Sequence, residues 1–492
     1  MTASSLMQGS GNPENDNNQP LCVDLDGTLI HSDMLHETVI GLVKVDPIAA
    51  LRLPFWLLRG KAELKQRIAG LIEFDPASLP YNLDFVEWLR QQHTQGRRLI
   101  LCTASDRSIA APIAKHLGFF DEVIASDGVV NLAGENKAKT LVDRFGERGF
   151  DYAGNSSADL SVWEHARRTI LVNASSQLQC DAEACAEVEA VFEGLNSGFM
   201  VWRKMLRVHQ WLKNALLFVP LLAAHRVADG EAWLALLLAF VAFSLCASSV
   251  YIINDLLDLE SDRQHPRKCK RPFASGVVPV WHGVLLAPVL LALSLLVAAQ
   301  VGSAFMAWLV AYFAVTCLYS IKLKQLVLID CLTLAMLYTS RIVAGAAAVG
   351  MLLSFWLLAF SVFLFLSLAF VKRFAELQVQ LLHGKHKVQG RGYLTDDAPL
   401  VLMLGVVAGF SSVLVLALYL NSEDVMSLYQ NPHWVWGNVP VMQFWISWVW
   451  LRAYRGEMHD DPLTFAINDK ASLLAGAAFA LFLAIGSAGW PW

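Results

Sequence analysis

The stretch Tyr251-Ile252-Ile253-Asn254-Asp255-Leu256-Leu257-Asp258-Leu259-Glu260-Ser261-Asp262 decides how the chain is read. It closes a long apolar run, Ala232–Ile253, and opens a basic segment from Arg263 to Arg271. Asn254, Asp255, Asp258 and Asp262 are separated by one, three and four residues, so a helix carries them on one face. Carboxylates stacked in this way repel one another unless a cation sits among them. At the end of a helix of membrane length the fitting cation is Mg²⁺, a hard ion that takes carboxylate oxygens together with substrate phosphates. The plain alternative is a solvated helix end with incidental charge. Against it, acids at a membrane edge are costly and usually kept for function.

Outward from this stretch, apolar runs long enough to span a bilayer lie near Leu212–Ala224, Ala232–Ile253, Trp281–Gln300, Ala304–Ser320, Leu326–Val349, Phe355–Val371, Ala398–Leu420, Trp434–Leu451 and Ala471–Ala488. They predict about nine helices, the first of them short and partly interfacial. With 55% hydrophobic and 16% charged residues the composition is that of a membrane protein, and 492 residues exceed one ordinary domain. The net charge of −5 hides an asymmetry, because polar and charged residues concentrate ahead of Phe199. No nucleic-acid partner is expected. Eight cysteines are scattered without metal-type pairing, as in a protein with reduced cytoplasmic thiols. Residues 1–20 are polar and lack the apolar core of a signal peptide, so a disordered tail is expected there. Loop cations orient the helices. With the N-terminal part cytoplasmic, one set of loops holds Arg263 to Arg271, Lys322, Lys324, Lys372, Arg373, Lys385, Lys387, Arg391, Arg452, Arg455 and Lys470, and the other essentially only Arg226. Arg341, deep in the fifth run, should face a partner, a cavity or an anionic substrate.

The spacing NDxxDxxxD at Asn254–Asp262 resembles the first aspartate-rich motif of the UbiA superfamily of intramembrane prenyltransferases. Four further segments sharpen the resemblance: RVHQWLKN (207–214), YSIK (319–322), KRFAEL (372–377) and DDPLTFAINDK (460–470). Together they are similar to the decaprenyl-phosphate phosphoribosyltransferase branch, whose members move 5-phosphoribosyl from phosphoribosyl diphosphate onto a polyprenyl phosphate. Aromatic prenyltransferases of the superfamily usually carry a second acidic motif where this chain has Lys372, Arg373 and Glu376. Extra positive charge there suits a donor with a 5-phosphate as well as a diphosphate. The resemblance implies Mg²⁺ and a diphosphate held by Asn254, Asp255, Asp258 and Asp262. Lys213, Asn214, Lys322, Arg341, Lys372 and Arg373 would then form the substrate-binding set, with a polyprenyl tail lying between apolar helices.

The N-terminal part reads differently. Leu21-Cys22-Val23-Asp24-Leu25-Asp26-Gly27-Thr28-Leu29 is a buried strand followed by a tight turn. Two aspartates at a strand's C-terminal end project into the crevice where open α/β sheets bind ligands. One carboxylate can attack a phosphoryl group while the other moves a proton. The segment resembles motif I of the haloacid dehalogenase (HAD) superfamily. The later motifs arrive in order: Thr103 after a second strand, Lys137 (with Lys139 as the alternative) opening an amphipathic helix, and Asn155 with Asp159 in place of the usual GDxxxD. The resemblance makes Asp24 the nucleophile and Asp26 the acid/base. Thr103 and Lys137 become phosphoryl ligands, and Asp24, Asp26, Asn155 and Asp159 the Mg²⁺ set. Asn155 brings less charge than the family's acid. Thr169–Asn173 reads as the last strand, and Ser175–Gly194 as a connecting helix or loop. About 75 residues separate the first two motifs, too many for a plain crossover, and the resemblance makes 31–81 a helical cap. Within it Leu53, Phe55, Trp56 and Leu57 either pack a cap core or rest on the membrane or the second domain.

The expected fold is therefore two-domain. An α/β HAD-like Rossmannoid domain (21–175, cap about 31–81) is joined by a linker (176–200) to an all-α multi-pass transmembrane bundle (201–492). The expected activity is Mg²⁺-dependent phosphoribosyl transfer to a polyprenyl phosphate at a bacterial inner membrane, with the HAD-like domain dephosphorylating the product. Two other readings stay open. One is transfer of a polyprenyl group from its diphosphate to an aromatic acceptor such as 4-hydroxybenzoate. The other is a membrane scaffold with a non-catalytic HAD-like docking domain.

Overall fold

A computed structural model describes residues 19–127, 130–195, 198–265, 267–384, 386, 391–422, 429–458 and 461–488. Nearly all of the tail expected at 1–20, and the loop residues Lys385, Lys387 and Asp460, lie outside the described residues. The chain divides into two compact units: Met1–Leu206 with Ile252–Leu286, and Arg207–Tyr251 with Ala287–Trp492. The decisive aspartate stretch is thus grouped with the N-terminal unit.

The first unit is built on a parallel sheet of six strands: β1 (Leu21–Val23), β2 (Leu99–Asp106), β3 (Glu122–Ser126), β4 (Asp151–Gly154), β5 (Arg168–Val172) and β6 (Glu187–Phe192), in the order β3-β2-β1-β4-β5-β6. Every residue of β1 is buried, as a central strand covered on both faces requires. The chain runs outward from β1 to β3 and then returns to β1's other side at β4. That reversal opens a crevice beyond the carboxyl ends of β1 and β4. Thr169–Asn173 is not the last strand. Glu187–Phe192 pairs with β5, and Glu189 bonds Arg97 at 2.7 Å while Arg97 bonds the fully buried Asp151 at 2.5 Å. The acidic alternation of Glu187-Val188-Glu189 hides this strand, because its charges answer arginines remote in sequence.

The cap begins at helix Met34–Val45, N-capped by Asp33, and continues through Pro47–Ala50, Leu53–Leu58 and Lys61–Ala69. Leu42, Ala49, Trp56, Leu64 and Ile68 form its own small core.

The aspartate stretch is not one unbroken helix. Gly230–Leu257 ends at Asp258, whose backbone (φ −98°, ψ 10°) starts a short new helix, Leu259–Arg263. The four-residue hydrogen bonds Asp258 N to Asn254 O (2.9 Å) and Asp262 N to Asp258 O (2.8 Å) still carry the rise through the break.

The second unit is helical. Seven helices among the described residues are long and apolar enough to cross a membrane: Gly230–Leu257, Val280–Val301, Ser303–Ile321, Ile329–Ala348, Phe355–Leu382, Thr395–Leu420 and Lys470–Ser487. The eighth expected run forms Asn438–Tyr454, 17 residues long. The first does not form a spanning helix. Val208–Phe218 winds as a 3₁₀ helix and Val219–Ala223 adds one α turn. Side-chain anchors hold it there, Trp211 Nε1 to Ser248 Oγ at 2.9 Å and Asn214 Nδ2 to Ser244 Oγ at 3.0 Å, and Pro220 lacks the donor that would extend an α-helix backwards. Helix Ile329–Ala348 buries Asp330, Thr333, Leu337, Arg341 and Ala344, a three-and-four spacing that turns one face inward.

Candidate active sites

At the sheet's crevice, Asp24 follows β1 directly. Its backbone N–H donates to Ala153 O at 3.0 Å, which fixes it beside β4. Lys137 Nζ, buried at the start of helix Glu135–Phe145, donates to Asp24 Oδ1 at 2.8 Å and to the Tyr152 hydroxyl at 2.7 Å. Tyr152 in turn donates to Asp159 Oδ1 at 2.8 Å. Asp159 Oδ2 accepts from the backbone N–H groups of Asn155 (3.1 Å) and Ser156 (3.0 Å) and from the Ser156 hydroxyl (3.0 Å). Both Asp159 oxygens are therefore engaged, and it shapes the Asn155 loop. Asp26 turns elsewhere, accepting from Met34 N at 2.7 Å and from Ser105 Oγ at 2.8 Å. Gly27 holds φ +76°, and a Cβ there would lie 2.0 Å from Asn155 Nδ2, so motif I and the Asn155 loop meet only through glycine.

Charge in the crevice is unbalanced: Lys137 pairs with Asp24 and Asp159, and Asp26, beside Asp24, adds a third carboxylate. Burial raises the Asp24 carboxyl to about 6 against the pull of Lys137. Burial, with Asp33 and Asp24 adding repulsion, raises Asp26 to about 7. Lys137, despite burial, is held above the ordinary lysine range by Asp24 and Asp159. Surplus carboxylate with an all-oxygen donor set at Asp24, Asp26, Asn155 and Asp159, whose Oδ1 accepts from Tyr152 and keeps a further lone pair, fits a hard divalent ion. Thr103 does not join this group. It is fully buried, and its hydroxyl accepts from Ser105 N at 3.0 Å. The β2–β3 register shifts between Thr103 and Asp106, and such an irregularity re-aims side chains, here bringing Ser105 to Asp26.

The aspartate stretch also lies in the first unit. Asp255 and Asp262 are buried, and both bond Arg271 Nη1, at 3.1 and 2.5 Å. The cation among these acids in the structure is Arg271, reached across the loop, and Lys268 stands 3.9 Å from Asp262. Burial holds the Asp262 carboxyl above the ordinary range, against the pull of Arg271 and Lys268. Asn254 and Asp258 are half-buried. Among the described residues no group of three or more His, Cys, Asp or Glu side chains stands ready as a metal cluster. Asp262 Oδ1 is nonetheless buried without a hydrogen-bond partner, an acceptor that a cation would satisfy. The oxygen-only set Asn254, Asp255, Asp258 and Asp262 fits Mg²⁺, which takes few carboxylates and completes its shell with phosphate and water. Arg263, next to Asp262, bonds Glu37 of the cap helix at 2.6 Å and Ala274 O at 2.9 Å.

In the second unit the polar groups gather around Asp461, the N-cap of helix Pro462–Asn468. Lys213 Nζ lies 2.8 Å and Lys372 Nζ 3.6 Å from it, and Tyr338 donates to it at 3.2 Å. These cations hold the Asp461 carboxyl well below the usual range in spite of its burial. Arg341 is buried against neutral groups. Nε donates to Asn214 Oδ1 at 3.0 Å, Nη2 to the Tyr312 hydroxyl at 2.9 Å and Nη1 to Leu337 O, while the Tyr312 and Tyr338 rings lie 4.8 and 5.7 Å away. Two cations thus pair with one carboxylate, and Arg341 approaches this group only at the Tyr338 ring, which Lys213 also faces at 5.5 Å. A small cleft lined by Leu334, Tyr338, Leu368, Lys372, Asp461 and Leu463 opens on this group.

Two expected members stand apart. Arg373 is fully buried and tied to Asp330 at 2.5 Å and to Glu376, so its charge is consumed within the bundle. Lys322 is exposed at the end of Ser303–Ile321. Sequence reasoning missed Tyr152, Ser105, Arg271 and Tyr338 as site members. Only Tyr152, two residues ahead of Gly154 in a strand and so on its face, had a local signal.

Comparison with known proteins divides the chain by sequence and places Asn254–Asp262 with the bundle. The model of the UbiA prenyltransferase family matches residues 215–468, and that of haloacid dehalogenase-like hydrolases matches residues 21–164. An uncharacterized protein of Sinorhizobium fredii, y4nM, is 39% identical over 468 residues, covering 94% of this chain and 90% of the relative. The nodulation protein NoeC of Azorhizobium caulinodans is 37% identical over 291 residues, 58% of this chain and 92% of its own. A decaprenyl-phosphate phosphoribosyltransferase of Mycolicibacterium smegmatis is 38% identical over 182 residues, 36% of this chain and 57% of that protein.

Proposed function

This chain belongs to the UbiA prenyltransferase family, as a multi-pass membrane enzyme with a HAD-like hydrolase domain ahead of the bundle, and on that premise we propose that it moves 5-phosphoribosyl from phosphoribosyl diphosphate to a polyprenyl phosphate. The observation that carries this reading is the surplus of positive charge around Asp461. Lys213 and Lys372 against one carboxylate, with Arg341 buried on neutral partners and its charge unanswered, suit a substrate with more phosphate than an allylic diphosphate has. The similarity to a phosphoribosyltransferase over about a third of the chain supports the same donor.

In the proposed reaction the bond between ribosyl C1 and the diphosphate oxygen breaks, and a lipid phosphate oxygen forms the new bond to C1. Asn254, Asp255, Asp258 and Asp262 would hold the diphosphate through Mg²⁺. When bound, that ion neutralises the leaving group. Arg341 and Lys372 bind phosphate oxygens, and Lys213 keeps Asp461 ionised and in place. Arg341 also offers fixed charge where water is scarce, so it acts without reorganising during the reaction.

The transferred sugar keeps a 5-phosphate, and the HAD-like crevice is assigned its removal. Asp24 attacks phosphorus, Asp26 gives a proton to the leaving 5-oxygen, and water then releases phosphate from the aspartyl phosphate. A proton on Asp26 near neutral pH suits that role. The N-terminal unit is assigned to the cytoplasmic side of a bacterial inner membrane. Purified full-length protein, offered phosphoribosyl diphosphate with polyprenyl phosphate and separately prenyl diphosphate with 4-hydroxybenzoate, should make product in the first mixture with Mg²⁺ and little in the second. The reverse result replaces this reading with aromatic prenylation.

A further inference from the structure

We propose that the cap of the HAD-like domain carries a membrane-interface surface, formed by residues 43–58, that seats this domain on an anionic bilayer. Of the twelve exposed large hydrophobic residues described between 19 and 195, seven fall within these sixteen positions. Single exposed hydrophobics are ordinary on any surface, whereas a cluster of this density needs a covering. Ile48 is 72% exposed, Leu51 74%, Phe55 69% and Leu58 85%, spaced by three, four and three residues. The two short helices that bear three of them are not loosely folded. Pro47–Ala50 buries Ala49 and Leu53–Leu58 buries Trp56 in the cap's core. Each helix therefore has an inner face already satisfied and an outer face left apolar.

The charges among these residues select the occupant. Lys44, Arg52, Arg59 and Lys61 are all exposed; against these four cations stand Asp46, which caps Ile48 N and Ala49 N at 3.1 and 2.9 Å, and Glu63, 3.4 Å from Arg59. Apolar side chains interleaved with lysine and arginine are the composition of a surface that sinks to headgroup depth and holds anionic lipid. Among the described residues the same chain carries seven helices of membrane-crossing length, so a bilayer is a large apolar surface always at hand. The same cap helix that begins this surface donates Met34 N to Asp26 at 2.7 Å. An interface-seated cap would thus present the crevice to a phosphate carried on a lipid, which deepens the phosphatase reading without depending on it.

The test uses the full chain in nanodiscs, in a Cys180→Ser background. Nitroxide labels are placed singly at Leu51→Cys, Phe55→Cys and Leu58→Cys, with Leu83→Cys as a control that is 74% exposed outside the surface. In mixed phosphatidylcholine and phosphatidylglycerol the first three labels should meet dissolved oxygen readily and a water-soluble nickel chelate poorly, and the control the opposite. The shielding should weaken in phosphatidylcholine alone. Chelate access at all three equal to that at position 83 overturns the proposal. Shielding from both reagents with spin–spin broadening between chains also overturns it and assigns the face to a second copy. A second arm compares substrates: the Phe55→Asp, Leu58→Asp pair should lower phosphate release from lipid-linked 5-phosphoribose about tenfold or more, with p-nitrophenyl phosphate turnover unchanged. Immersed labels with no phosphate release from either substrate would sink the phosphatase reading and leave this one standing.

Discussion

The two units hold opposite charge imbalances, and on the proposed function the difference separates two ways of handling phosphate. In the HAD-like crevice Asp24 and Asp159 share one lysine, Lys137, and Asp26 adds a third carboxylate beside Asp24. In the bundle Lys213 and Lys372 face one carboxylate, Asp461, and Arg341 is buried against neutral groups. On the proposed function, the carboxylate-rich crevice would attack phosphorus and recruit a cation to do so, and the cation-rich pocket would bind the anion while the bond breaks at carbon.

The largest effects should come from dividing the two chemistries. Asp24→Asn is expected to lower 5-dephosphorylation at least about a thousandfold and leave transfer at its wild-type rate. Asp255→Ala or Asp258→Ala should abolish transfer, with phosphate release from a soluble monoester retained. Measuring both rates on each variant breaks the comparison if either substitution silences both. Next in size is Arg341→Gln, expected to cost transfer about 2–4 kcal/mol of transition-state stabilisation with the bundle intact. Arg373, by contrast, already has Asp330 and Glu376, so Arg373→Gln should show first as lost stability in detergent, with kcat retained in the folded fraction.

A third comparison is between the site ion pairs and the purely structural ones. Arg97 is 3% exposed and bonds Asp151, itself fully buried, and Glu189 of β6. Arg97→Ala leaves Asp151 to Arg167, which bonds it at 2.7 and 2.9 Å, but removes the tie to Glu189, and should destabilise the N-terminal unit by about 1–3 kcal/mol. Hydrogen exchange in β4 and β6 should speed up while transfer persists. Unchanged exchange there would mean that β6 is not held through Arg97.

How far the sequence was legible follows from how local each signal is. Asp24, Lys137 and Asp159 sit in short motifs whose strand or helix is evident from a few neighbours, and they meet because β1 and β4 are adjacent. Asn254 to Asp262 was legible as a pattern, but the break at Asp258 and the claim of Arg271 on two of its acids were not. Both depend on how the loop after Arg263 folds back. Arg373 read as an open cation because Asp330, its partner, lies 43 residues earlier on another helix. Thr103 against Ser105 was a matter of one irregularity in β2, which no periodicity records. The first apolar run had the composition of a helix, and Asn214 and Trp211 bond a neighbouring helix in ways that hold a different winding.

The smallest predicted effect tests the origin of the crevice's imbalance. Burial raises Asp24 to about 6 and Asp26 to about 7, whereas unfolded aspartate releases its proton near 3.8. Between those values the folded state holds more protons than the unfolded state, so stability must fall as pH rises through that window and is fully present below it. In Mg²⁺-free buffer the N-terminal unit of the full-length protein should therefore lose a few degrees of thermal stability, roughly, between pH 4 and pH 7. The loss is followed by hydrogen exchange in the peptides covering β1 and β4. Asp26→Asn removes the group with the higher value and should flatten most of the slope. Saturating Mg²⁺ should restore stability at the upper end, because the ion then supplies the charge that the protons had supplied. Stability that rises over this window, or a slope untouched by both Asp26→Asn and Mg²⁺, would show that these carboxylates are satisfied from within the protein and that the crevice needs no cation.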